Sequence, residues 1–380
     1  MSKRKILIFI DWYLPGFKAG GPIQSVANLV AHLKDEFEFL IVTSDTDYCE
    51  EKTYPNVKSN EWNILADGTK VFYFSKDNLS RSAIRSLIRR TEFDAVYLNG
   101  IYSLYFTLIP LLLLRKKREK RIVIATRGML SKGSLGIKKT KKKFFIRSAK
   151  TLRLFDSVIF HATTEIEKIE IASVFGSSSN IKVAANLPQL SSKINLPKRN
   201  KENDSIRFVN VARIAPEKNL LFALRILKTV KSNILFDFYG PIYSQEYWNE
   251  CKLALDELPQ NVKAQYKGSI ESDKVGDVLS LYHFMLMPTT GENFGHVILQ
   301  SLSVGCPVII SDQTPWKKLE DKKIGWDISL EKIDEFATTI DFTASINQSN
   351  YDIMSKAAFD YAQQYIQNPQ IKEQNRALFI

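Results

Sequence analysis

The chain is poor in the residues that would mark a metalloprotein, a disulfide-stapled domain or a membrane span. Cys49, Cys251 and Cys306 are its only three cysteines in 380 residues. They are scattered and odd in number, so they offer neither a disulfide framework nor a metal-ligand spacing, and a reducing compartment is expected. The four histidines, His32, His161, His283 and His296, include no HExxH and no ligand-spaced pair. The longest apolar stretch, Ile101 to Leu114, is broken by Pro110 and falls well short of the ~20 residues that a spanning helix needs. No leader is expected, because the basic start is followed by a short apolar run, Ile6 to Ile10, and then by Asp11. The first strand–helix turn lacks GxGxxG, so the dinucleotide fingerprint is missing. No RRM, KH or zinc signature supports a nucleic-acid module, and no repeat of solenoid period is visible.

What is present is a globular composition, 44% hydrophobic and 25% charged, in a length that suits two cores rather than one. The charge is uneven. The net charge is +12, yet residues 101–150 hold fifteen Lys and Arg against one acid, Glu119, a local +14 that leaves −2 for the other 330 residues. Such concentration points to an anionic surface as partner. Within it, Lys138 to Lys150 (KKTKKKFFIRSAK) interleaves cations with Phe144, Phe145 and Ile146. That pattern suits a bilayer interface, with lysines at the headgroups and aromatics below them. Nucleic acid is the competing anion, but the segment lies inside an α/β pattern. The expected partner is therefore an anionic membrane surface met through basic residues 115–150, with no nucleic acid. The plain alternative is a solvated face over a buried Phe pair.

The most informative stretch is residues 282–312, YHFMLMPTTGENFGHVILQSLSVGCPVIISD. Phe284 to Met287 is an apolar run stopped by Pro288, which suits a buried strand. Thr289 to Asn293 reads as a polar loop. Phe294, Val297, Ile298 and Leu302 fall at helical spacing, Gly305 and Pro307 end that helix, and Val308 to Ile310 is the next strand. Strand, loop, helix and strand make the unit of a parallel α/β sheet, whose loop lies at the carboxyl edge where such folds bind ligands. Glu292 supplies a carboxylate just before the helix. Gly295 permits close approach to a first turn whose bare N–H groups favour an anion such as a phosphate. Gln300 adds an amide two turns on. A sugar and a phosphate held together fit that set; a helix start with one solvated Glu and one solvated Gln is the plain alternative.

The residues G-E-N-F-G-H-V-I-L-Q-S-L-S-V-G-C-P-V resemble the signature of retaining glycosyltransferases of family four. That pattern runs Glu, seven residues, Glu, with Phe-Gly inside and Gly-x-Pro-Val after. Glu292 matches the first Glu, and Gln300 stands where the family has the second. The resemblance implies an α/β chain of the GT-B fold, with two Rossmann-like domains facing across a cleft. It also implies Glu292 on the donor sugar and position 300 on the ribose hydroxyls, with Asn293, Phe294 and Gly295 binding substrate between them.

Taken in order, the chain opens with a βαβ unit: Ile6 to Ile10 as strand, a glycine-rich loop, Pro22 at the first helical position, a helix through Val30, then a strand from Phe37 to Thr43. Gly20 and Gly21 can bring bare amides toward a pyrophosphate, and the family often has a Gly-Gly pair there; a tight turn alone is the other reading. Asp45-Thr46-Asp47 forms D-x-D, a chance tripeptide rather than a metal site. Residues 48 to 70 read as irregular. A strand, a helix and a second strand follow, and Tyr102 to Leu114 is expected as one core helix. After the strand Ile122 to Ala125 comes Arg127-Gly128-Met129-Leu130, a segment the family shares. Arg127 is expected to meet the donor phosphates or the acceptor, unless it is a plain surface Arg. Leu187 to Asp204 is the linker, giving domains 1–190 and 205–360, with a last helix at about 361–380 packing back on the first. A second βα series begins at Ile206 to Val211. Arg213 and Lys218, in the loop after it, can neutralise a departing pyrophosphate without a metal, and their spacing resembles the family's donor-phosphate pair.

With the resemblance, which implies retention of configuration, these features lead to the expectation of a retaining, metal-independent glycosyltransferase with no cofactor beyond its UDP- or GDP-linked nucleotide-sugar donor. Glu292, Arg213 and Lys218 are the expected catalytic residues, acting by positioning and leaving-group electrostatics. The two-carboxylate geometry of glycosidases does not apply, since only Glu292 is placed for it. The overall pattern resembles bacterial enzymes of capsule, exopolysaccharide or lipopolysaccharide synthesis. That implies a lipid-linked or saccharide acceptor and a cytoplasmic protein peripheral to the inner face of the plasma membrane. The alternative is a catalytically impaired, transferase-like protein that binds sugar nucleotides. An amide at 300 accepts with one oxygen where a carboxylate accepts with two, a loss of about 1–2 kcal/mol or roughly tenfold in affinity.

Overall fold

Continuous apolar runs build the strands, because a parallel sheet is covered on both faces. The computed structural model describes residues 3–115, 119–131, 139–190, 196–201 and 205–380. It divides into two units, Met1–Leu190 with Asn368–Ile380, and Ser191–Gln367.

The first unit runs β1 (Arg4–Phe9), α1 (Gly21–Leu33), β2 (Phe37–Ser44), β3 (Trp62–Ile64), β4 (Lys70–Phe74), α2 (Arg81–Arg90) and β5 (Ala95–Asn99). A π-helical turn (Leu104–Leu108) then leads into α3 (Ile109–Leu114), β6 (Arg121–Ala125), α4 (Lys139–Thr151), β7 (Ile159–Ala162), α5 (Glu165–Phe175) and β8 (Ile181–Val183). The sheet order is β3-β4-β2-β1-β5-β6-β7-β8. Pairing is parallel except for β3, which lies antiparallel to β4. All five residues of β5 are buried. Ser80 and Thr164 cap α2 and α5, accepting from the N–H of Ala83 and Glu167, which satisfies a donor that the first turn leaves bare.

Three details depart from the sequence expectation. Residues 48–70 are not wholly irregular, since they contain β3; three residues are too few to show a period. The same is true of β8. The expected helix at 102–114 is split, because Pro110 has no N–H to continue the ladder at its own position, and the backbone takes a π turn before α3.

The second unit runs β9 (Ser205–Val211), α6 (Leu220–Leu227), β10 (Asn233–Tyr239), α7 (Gln245–Asp256), β11 (Val262–Tyr266), α8 (Val275–Leu279) and β12 (Phe284–Met287). It continues with α9 (His296–Ser303), β13 (Val308–Ser311), β14 (Gly325–Ile328), α10 (Ile333–Ser345) and α11 (Gln348–Ile366). Its sheet is all parallel, in the order β11-β10-β9-β12-β13-β14. Alternate strand residues feed two cores. Phe208, Phe236, Phe238 and Phe284 go to one face; Val209, Met285, Met287, Val308 and Ile310 go to the other. Each large apolar side chain fully buried this way contributes about 1.5–3 kcal/mol.

Part of the expected linker docks on this unit. Buried Arg199 donates to the carbonyls of Ser280 (2.8 Å), Val304 (2.6 Å) and Gly305 (3.0 Å), and Lys201 Nζ donates to Ala344 O (2.6 Å). Cations there satisfy the bare carbonyl ends of α8, α9 and α10. Residues 191–195 and 202–204 of that linker lie outside the described residues.

The return to the first unit begins at Asn368 rather than near 361, because α11 continues to Ile366. Asn368 caps α12 (Pro369–Arg376) by accepting from Gln370 N (3.0 Å). Beyond it, Phe379 packs among Phe37, Phe39 and Tyr97. No helix among the described residues is long and apolar enough to cross a membrane.

Candidate active site

From β9 the second chain segment runs outward through β10 to β11, and from β12 outward the other way through β13 to β14. The direction therefore reverses between β9 and β12, and the space outside their carboxyl ends is where such sheets bind ligands. The two loops that meet there are residues 212–219 and 288–295. The first carries Arg213 and Lys218 and the second carries Glu292, so three expected site residues converge on this edge.

Lys218 Nζ donates to a carboxylate oxygen of Glu292, with the two side chains only 17% and 12% exposed. Arg213 lies 3.1 Å from the Glu217 carboxylate, with exposures of 29% and 41%, and its guanidinium sits over the Tyr243 ring at 4.6 Å. Burial works against the charge of Arg213, but its hydrogen bond to Tyr243 and the nearby Tyr243, Glu217 and Glu292 outweigh it, and its pKa is raised. Two cations and two carboxylates thus alternate along one sheet edge.

Backbone ties fix this arrangement. The Glu217 carbonyl accepts from Thr290 N (3.0 Å), Thr289 Oγ1 (2.9 Å) and Thr290 Oγ1 (3.1 Å), and Asn219 Nδ2 donates to Pro288 O (2.9 Å). The two loops are therefore one joined surface. Gly240 sets the position of Tyr243. Its φ is 144°, and a Cβ there would lie 1.9 Å from the Ala212 carbonyl oxygen, so only glycine lets the exits of β9 and β10 come this close. Ile242 can then bridge to Ile214, and Tyr243 N donates to Ile214 O (3.1 Å).

In the second loop, two expected substrate-binding residues also hold the fold. Phe294, expected to bind substrate, is 7% exposed, and its ring packs against His296, Trp316 and Tyr365. Trp316 Nε1 also donates to its carbonyl (2.5 Å), so the Phe294 side chain anchors the loop from inside. Gly295 has φ 77°, and a Cβ on it would lie 2.7 Å from Ile298 Cδ1. The missing side chain makes room for packing under α9 and for the left-handed turn. Asn293 and Gln300 are half-buried, Gln300 on α9 itself. Glu292 is held by its backbone N–H to Gln313 O (3.1 Å).

Gly20, Gly21 and Arg127 belong to the first unit. Gly20 (φ 71°) precedes α1 and Gly21 is its first residue. Asp47 braces the loop before them, accepting from the N–H of Phe17 (2.9 Å), Lys18 (3.2 Å) and Tyr48 (2.7 Å). Asp45 accepts from Ser59 Oγ (2.6 Å), so the D-x-D tripeptide shapes this loop. Arg127, expected at the donor phosphates or the acceptor, is half-buried and engaged by side chains of its own unit. Its Nε, Nη1 and Nη2 donate to Asn99 Oδ1, Asn186 Oδ1 and Tyr97 Oη, each at 2.8 Å. Tyr97 in turn donates to His161 Nδ1 (2.8 Å), because His161 Nε2 must give its hydrogen to the Ala184 carbonyl (2.8 Å). Burial, then the Arg127 charge, push the His161 pKa down and keep the ring neutral.

Of the basic stretch, residues 116–118 and 132–138 lie outside the described residues. The rest includes α4, where Phe145 packs on the Tyr102 ring (5.2 Å) and Lys142 lies over it (5.3 Å). Phe144 is 74% exposed. Sequence reading missed Glu217 and Tyr243. Glu217 had a signal, since it stands four residues after Arg213, but Tyr243 is thirty residues away and had none.

Residues 191–359 match the family model described as Glycosyl transferases group 1. The structure is similar over 98% of both chains to that of Anabaena HepE, solved with UDP and glucose (TM-score 0.73, 15% identity). It is similar to the sucrose-phosphate synthase of Thermosynechococcus elongatus over 100% of this chain and 98% of that one (TM-score 0.74, 14% identity). A third likeness is to WaaG, a glycosyltransferase involved in lipopolysaccharide biosynthesis, over 98% of both chains (TM-score 0.67, 12% identity). No curated protein matches the chain in sequence. The fold is GT-B, two Rossmann-like α/β units, and the family match falls within the second of them.

Proposed function

We propose that the protein is a retaining, metal-independent glycosyltransferase of family four that takes a hexose from a UDP- or GDP-linked donor. The observation that carries this reading is the meeting of Arg213, Lys218 and Glu292 at the point where the second sheet reverses direction. Two fixed cations there stabilise the charge that develops on a departing diphosphate. Glu292, held by Lys218, orients the sugar. No protein nucleophile is needed when positioning and leaving-group electrostatics supply the rate. What the side-chain cations supply is the task a divalent ion performs in other transferases.

The acceptor is a lipid-linked or saccharide chain of a capsule, exopolysaccharide or lipopolysaccharide. Support comes from the exposed Phe144 on the cationic helix α4 and from the likeness to a lipopolysaccharide enzyme. An anionic leaflet gains about 1 kcal/mol for each Lys or Arg brought near it, which holds the protein peripherally at the inner face of the plasma membrane.

One residue favours a second reading. Gln300 stands where the family has a carboxylate, so an impaired, sugar-nucleotide-binding protein is the alternative. A thermal-shift panel of UDP- and GDP-sugars tests both, since a ligand stabilises the state that binds it. Stabilisation by one nucleotide series is expected, and Gln300→Glu should tighten that donor roughly tenfold. A panel with no shift would remove the donor reading; a shift without sugar transfer to any acceptor would favour the alternative.

A further inference from the structure

We propose that Glu217 competes with the donor's diphosphate for Arg213, holding the guanidinium while the site is empty and giving it up when the ligand arrives. This rests on the reading that Arg213 receives the diphosphate. The two ion pairs at the site differ in kind. Lys218 and Glu292 are a buried pair, whereas the Glu217 side chain is 41% exposed, and exposed pairs hold weakly. The Glu217 backbone cannot follow its side chain, because its carbonyl is fixed by Thr289 and Thr290. Only the carboxylate is free to turn away. Tyr243 lies under the guanidinium at 4.6 Å, which can keep the plane of Arg213 while one edge changes partner. A diphosphate offers that edge paired, charge-assisted acceptors, which a single carboxylate oxygen at 3.1 Å does not match.

Glu217 is thus a positioning residue that acts through Arg213. It lowers the affinity for the nucleoside diphosphate and speeds release of that product. Calorimetric titration of UDP and of GDP into the full chain tests this. Glu217→Gln should bind the preferred diphosphate about three- to fivefold more tightly than wild type, with stronger product inhibition and a lower donor KM. In an Arg213→Gln background the same change should have no effect. If wild type binds neither diphosphate, the donor reading and this inference fall together. If wild type binds and Glu217→Gln binds no tighter, or tightens equally without Arg213, the inference alone is overturned.

Discussion

Arg127 and Arg213 occupy matching stations in the two sheets, each two residues past the carboxyl end of a strand, yet they are held in opposite ways. Arg127 donates to three neutral acceptors, Tyr97, Asn99 and Asn186. Arg213 faces a carboxylate and an aromatic ring. Neutral acceptors placed on three sides lock a guanidinium without competing for its charge, and its loss removes three hydrogen bonds. An exposed carboxylate on one side is a weaker hold, and under the proposed exchange it yields to a better anion. An arginine at a sheet edge is therefore a site residue or a brace according to its partners, not its position.

The largest effect expected on the second side of this comparison is on turnover. Lys218→Ala should lower sugar transfer about 10²–10³-fold, some 3–4 kcal/mol, as removal of a leaving-group donor does, with donor hydrolysis or transfer as the readout. Transfer unchanged by Lys218→Ala would take the cation out of the mechanism.

A pH experiment sharpens the contrast next. His283 in the second unit accepts from Arg207 N (3.0 Å) and donates to Asn200 O (3.0 Å). Burial pushes its pKa down to about 4. Its folded pKa lies below the unfolded one, so the unfolded chain binds more protons between about pH 6.5 and 4, and stability rises with pH across that window. The contribution, about 3 kcal/mol at most, is complete above the unfolded pKa and lost as pH falls toward 4. Denaturant unfolding at pH 7.5 and 4.5 should show this loss, and His283→Gln, which keeps a donor and an acceptor but does not titrate, should flatten it.

The smallest expected change tests the brace. Arg127→Ala should destabilise the first unit by about 2 kcal/mol by removing its three hydrogen bonds, and Arg127→Lys should not restore it, since an ammonium cannot span three directions. Unaltered melting with lost transfer would return Arg127 to the site.

Much of this was legible from residues alone. Runs such as Phe284–Met287 announce buried parallel strands, and the loops holding Arg213, Lys218 and Glu292 follow such runs directly. Neighbours distant in the chain were not legible. The partners of Arg127 lie 28 to 59 residues away, so its side chain read as free. Phe294 shares a loop with Glu292, and only the rings of Trp316 and Tyr365 show that it turns inward. Edge strands of three residues carry no period to read.

The docked cations of Arg199 and Lys201 bear on where the polypeptide can be cut. A fragment starting at Ser205 would lose the side chains that close the carbonyl ends of three helices; one starting at residue 196 would keep them. By the same token, a fragment ending at Leu190 would strip Phe379 from the aromatic rings of its own sheet. Dissecting the protein into separately expressed halves therefore calls for a start no later than residue 196 on one side and, on the other, the last thirteen residues grafted back.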